Sequence, residues 1–137
     1  MPVAYVRLVV VLTGSLWALG CSAKDQDRPE LGRVNGIVSL DGKPLAKALV
    51  VFAPEAGRSS AGVTDSAGRY ELQYLHNVKG AVIGHHKVQI TTYYEDEDSV
   101  AALKAKETIP ARFNSKTTLT ANVEDGEESI DFDLQSK

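Results

Sequence analysis

The chain has 137 residues, 15 basic and 18 acidic side chains, a net charge of −3 and a single cysteine. That length suffices for one hydrophobic core without metal or disulfide staples, and one thiol excludes an internal disulfide. Acids interspersed with the bases exclude the basic, aromatic-interleaved stripe of a nucleic-acid binder.

Residues 1–20 read as a secretory signal: Arg7 precedes an uncharged run, Leu8-Val9-Val10-Val11-Leu12 onward to Gly20, which stops at Cys21-Ser22-Ala23-Lys24-Asp25. The run falls short of the ~20 apolar residues that a membrane-spanning helix requires. Ala18 and Gly20 also form the small-x-small site of a conventional signal that is cleaved and released. Ala18-Leu19-Gly20-Cys21, however, resembles the lipobox of bacterial lipoproteins, which implies a diacylglyceryl group on the Cys21 sulfur. An unpaired thiol in an oxidising compartment is a liability, and lipidation consumes it. The expected location is therefore the cell envelope, with the membrane held through the lipid on Cys21, on the outer membrane facing the periplasm. Trp17 is the only tryptophan and leaves with the signal, so the mature chain has none to stack on sugars or bases.

Residues 21–32, the lipidated cysteine and a polar stretch containing Pro29, lack periodicity, as a tether does. The domain is expected over 33–137. Short runs of alternating or β-branched residues separated by turn dipeptides predict an all-β sandwich of about seven strands. The first strand, 33–40, carries Val34, Gly36, Val38 and Leu40 on one face. Asp41-Gly42 closes a tight hairpin, the Asp side chain bonding its own turn, and Pro44 limits the second arm to an edge or bend. The strand 48–53, with apolar Leu49-Val50-Val51-Phe52, ends at Pro54. A second hairpin is expected over 60–72, where Asp65 accepts backbone N–H groups and Gly68 takes the left-handed position.

After Gly80 and Gly84 comes a long strand from His85 to about Tyr93, with His86, Val88 and Ile90 on one face. Glu95-Asp96-Glu97-Asp98 ahead of Lys104 and Lys106 suits a helix N-terminus, so one short helical insert is expected there. Pro110 excludes a central strand at that point. Residues 117–124 and 128–134 are expected to form a last hairpin around Asp125-Gly126, with Leu119, Ala121 and Val123 facing inward opposite Ile130, Phe132 and Leu134.

The series Val34-x-Gly36-x-Val38-x-Leu40-Asp41-Gly42-Lys43-Pro44, then Thr64-Asp65-x-x-Gly68-x-Tyr70-x-Leu72 and Gly84-x-His86-x-Val88-x-Ile90, resembles the carboxypeptidase regulatory-like domains. The tail from Ile109-Pro110-x-x-Phe113 to Asp131-Phe132-Asp133-Leu134 is similar to the version found in lipoproteins of planctomycete-type bacteria. The resemblance implies a Greek-key, transthyretin-like (prealbumin-type) sandwich and an accessory rather than catalytic role. Lys47 stands where that pattern has a glycine.

Candidate chemistry is thin. His85, His86, Tyr93 and Tyr94 invite comparison with iron dioxygenases that use two His and two Tyr. Strand alternation sends adjacent side chains to opposite faces, so neither pair converges on one ion. His76 lies in a loop without spacing signature, and Glu95 to Asp98 lack the ligand alternation of a calcium loop. The expectation is no enzyme, no metal and no cofactor. The reading is an envelope module with a structural role or one in binding protein, ligand or polysaccharide. Its alternatives are a small-ligand-binding transthyretin-like dimer and a metal-dependent enzyme on the His85-His86 strand.

Overall fold

The structure, a computed structural model, describes residues 28–93 and 107–137. The signal segment, Cys21, most of the tether, Tyr94, the acidic run and the expected helical insert lie outside the described residues.

The described residues form an all-β sandwich. The about seven expected strands resolve into twelve, and among the described residues the single helical element is a 3-10 turn at Ala111–Phe113. In the first sheet β1 (Leu31–Leu40) is central. Along one side it pairs antiparallel in succession with β8 (Ala81–Val82), β5 (Arg69–Glu71) and β2 (Lys43–Pro44). Along the other it pairs parallel with β11 (Glu127–Ser129) and then β12 (Phe132–Leu134). The second sheet is antiparallel throughout, in the order β10 (Thr120–Val123), β9 (Gly84–Thr92), β3 (Ala48–Pro54), β4 (Ser60–Val63), β6 (Gln73–Leu75), β7 (Val78–Lys79).

Period-two alternation builds the core between these sheets. Val34 and Val38 from β1, Tyr70 from β5 and Leu134 from β12 meet Val50 and Phe52 from β3 and Val88 and Ile90 from β9, all buried. Phe52 and Phe132 cross the interface edge to face, with centroids 6.1 Å apart. The outer face of β3 is half covered at Leu49 and Val51, as its unbroken apolar run suggests.

Two expected hairpins are corrected. The turn at Asp65 to Gly68 closes, with Asp65 N–H donating to the Arg69 carbonyl. Its arms then part: β4 pairs with β3, while β5 pairs with β1 in the other sheet. Thr64 fixes the exit, its hydroxyl accepting from Ala48 N–H at 2.9 Å. Likewise residues 117–134 are no hairpin, because β10 pairs with β9 and the chain crosses at Glu124 to Gly126 to lay β11 and β12 along β1. The inward positions are those expected, with Val123, Phe132 and Leu134 buried. Alternation fixes which face a residue takes and leaves open which strand lies beside it.

A hairpin the sequence reading lacks joins β6 to β7 through His76-Asn77, with Asn77 at φ +61°. Lys47 also holds a positive φ, +53°, so the conformation of the resembled glycine persists without the glycine.

Candidate functional site

The turn residues named from sequence occupy three separate corners. Asp41 and Gly42, at φ +52° and +79°, join β1 to β2. The Asp41 carboxylate does not bond its own turn; it accepts from the Ser136 hydroxyl and from Ser136 N–H at 2.9 Å, tying down the C-terminal tail. Those two bonds hold its carboxyl below the ordinary 3.8, against a small opposing effect of burial. Asp65 Oδ1 accepts from Ala67 N–H at 2.9 Å and Arg69 N–H at 3.0 Å, and Gly68 stands at φ +76°. Asp125 Oδ1 accepts from Gly126 N–H at 2.9 Å, with Gly126 at φ +94°.

The histidines divide as alternation requires. His85 is exposed on the outer face, while His86 is fully buried on the inward face that it shares with Val88 and Ile90. Its Nε2 lies within hydrogen-bonding distance of the Val82 carbonyl, which can only accept, so that nitrogen carries the proton. The ring packs 5.6 Å from that of Phe52, and Nδ1 has no partner. This bond links β9 in one sheet to β8 in the other. Among the described residues no group of three or more His, Cys, Asp or Glu is placed to hold a metal ion.

A groove of about 990 Å³ lies where the outer faces of the two sheets meet. Asn35, Ile37, Arg69 and Glu71 line it from the first sheet, and Leu49 and Val63 from the second. Ile37 and Val63, 42% and 41% exposed, are the large hydrophobics that the described surface leaves open, and both lie here. Lys79 pairs with Glu71 at 2.7 Å, partly neutralising one wall.

Beneath the groove the first sheet is spliced. Between β11 and β12 the Ile130 N–H donates to the Asn35 carbonyl, and the Ile130 carbonyl accepts from the Tyr70 hydroxyl. Asp131 supplies the missing rung, its carboxylate accepting from Ile37 N–H at 2.8 Å. Burial pushes the Tyr70 phenol far above its ordinary 10.0, and the nearby charges of Asp131 and Glu128 push the same way, so it stays a neutral donor.

A smaller depression of about 390 Å³ lies over the outer face of β9 and β10, between His85, Lys87, Thr118 and Leu119. Nothing in the sequence reading singled out either concavity. The available signal was Ile37, an apolar residue among the outward positions Arg33, Asn35 and Ser39 of β1. Buried Asn114 and Thr117 were also missed. Asn114 Nδ2 donates to the carbonyls of Ile90, Ile109 and Pro110, and the Thr117 hydroxyl donates to the Val88 carbonyl at 2.6 Å. Both anchor the chain after the 3-10 turn to β9.

No protein-family model matches the chain, and no curated protein matches it. Among solved structures it is similar to a DUF3823 family protein from Parabacteroides merdae, at 11% identity and a TM-score of 0.41. The match covers 77% of this chain and 46% of that one, so the chain spans less than half of that protein's length. The class defined by the structure itself is an all-β sandwich.

Proposed function

We propose that the protein is a non-catalytic, lipid-anchored module of the cell envelope that holds a β-sandwich on a short tether for interaction with protein or polysaccharide. The observation that carries this reading is the uncharged run from Leu8 to Gly20 ending on the lone Cys21, with polar sequence immediately after it. Assignment to the carboxypeptidase regulatory-like domains belongs to the same proposal. It is supported by the pattern residues themselves, since Val34 and Val38 line the core and Asp41-Gly42 and Asp65 to Gly68 form the turns. The outer membrane is the proposed site, with the domain facing the periplasm.

The test is the mass of the N-terminal peptide of the protein extracted from its own envelope. The proposal requires Cys21 as first residue with a diacylglyceryl thioether; a free thiol, or a chain beginning elsewhere, contradicts it. A second reading, a small-ligand binder, is favoured by the groove at Ile37 and Val63. That reading requires a small molecule to co-purify with the domain and to be lost from Val63→Asp.

A further inference from the structure

Five Asx residues of the described chain precede Gly or Ser: Asn35-Gly36, Asp41-Gly42, Asp65-Ser66, Asn114-Ser115 and Asp125-Gly126. In such dipeptides the following amide nitrogen attacks the side-chain carbonyl carbon. A new N–C bond closes a cyclic succinimide as water leaves an Asp, or ammonia an Asn. Hydrolysis then adds water at either imide carbonyl, returning an aspartate or leaving isoaspartate, whose backbone runs through the side chain. By sequence alone Asn35-Gly36 reacts first, since ammonia departs more readily than water and Gly offers no Cβ to obstruct the ring.

The fold reverses that order. Asn35 lies in mid-strand, Gly36 is buried opposite Tyr70 in the antiparallel ladder, and Asn35 Nδ2 donates to Glu127 at 3.2 Å. Ring closure there requires β1 to leave its sheet. The Asp41 carboxylate is held by Ser136, and that of Asp65 accepts from Ala67 and Arg69. Asn114 Oδ1 does accept from Ser115 N–H at 2.7 Å, but the residue is buried and its Nδ2, the leaving group, donates to three carbonyls.

Asp125 alone combines the requirements. It is exposed, its Oδ1 is held at 2.9 Å from the nitrogen that must attack, and a Cβ built on Gly126 would meet nothing within 4 Å. We propose that Asp125-Gly126 is the site at which the folded protein isomerises to isoaspartate. The product adds a methylene to the backbone between β10 and β11, in the crossing pinned by Arg33 N–H on the Gly126 carbonyl at 2.7 Å. Conversion therefore loosens the entry of β11 into the first sheet.

The experiment is accelerated ageing of the purified protein in mildly acidic buffer, beside a sample unfolded in urea. Peptide mapping with isoaspartyl methylation reads each site. In the folded protein the Asp125 peptide is expected to gain isoaspartate severalfold faster than the Asp41 peptide, and ahead of Asn35 deamidation. In urea Asn35-Gly36 is expected to overtake it. Asp125→Glu, which keeps the charge but disfavours ring closure, is expected to remove the signal. Asn35 leading in the folded protein, Asp125 and Asp41 converting at equal rates, or a signal that survives Asp125→Glu would each overturn the proposal.

Discussion

At Gly36 the absent side chain leaves room for the Ile130 carbonyl, which comes in over β1 and accepts from the Tyr70 hydroxyl. A Cβ there would collide with that carbonyl and lie 3.0 Å from the Tyr70 ring, and because the obstruction is backbone, no rotamer change relieves it. Gly42 is the contrast, since its positive φ is the sole demand and a Cβ would meet nothing within 4 Å. Gly36→Ala should therefore cost roughly 3 kcal/mol or more, against about 1 kcal/mol for Gly42→Ala. Urea denaturation midpoints of the two variants check this, and equal losses would contradict the splice at Ile130. Alternation in the sequence puts Gly36 on the inward face of its strand. It does not reveal the carbonyl that requires a glycine there, because the contact comes from a residue far along the chain.

Among elements, the local pairing at Asp41-Gly42 is legible, whereas the hairpin through His76-Asn77, which carries no Asx-Gly signal, and the strands with remote partners are not. Alternation and the Asp41-Gly42 turn give β1 and β2 directly, since the turn itself dictates the pairing. The parallel placement of β11 and β12 rests on contacts between opposite ends of the domain, and neither turn type nor periodicity encodes it. The groove is hidden for the same reason: Ile37 and Val63 become neighbours only when β4 and β5 diverge into different sheets.

One remote tie is also pH-dependent. The Glu107 carboxylate accepts from Thr92 N–H, from the Thr92 hydroxyl at 2.6 Å and from Ile109 N–H at 3.0 Å, clamping the end of β9 to the return of the chain. Partial burial raises its carboxyl, but the bonds from Thr92, Ile109 and Thr108 together outweigh it and leave the value below 4.5. A folded-state value below the unfolded one means stabilisation present above about 4.5 and lost as pH falls through the lower value. Glu107→Gln should thus be less stable than the parent at neutral pH, with the gap closing in acid. Thermal melts of both proteins across that range test it, and a gap independent of pH would assign the loss to packing alone.

For the whole molecule, the sequence reading of an all-β sandwich agrees with the structure because inward alternation, turn dipeptides and Pro positions all point the same way. The proposed anchor is a matter of chemistry upstream of the described domain. A single acyl chain binds a membrane only marginally, whereas the two or more of a lipidated cysteine hold it effectively permanently at ~0.8 kcal/mol per buried CH2. The remaining chain is net acidic, with its bases dispersed among acids rather than gathered into a patch that could substitute for the lipid. Detergent phase partitioning of the envelope fraction, parent against Cys21→Ser, tests the central claim most directly. The account predicts the parent in the detergent phase and the variant either unprocessed or soluble in the aqueous phase. A processed Cys21→Ser protein that partitions with the detergent as fully as the parent would contradict it.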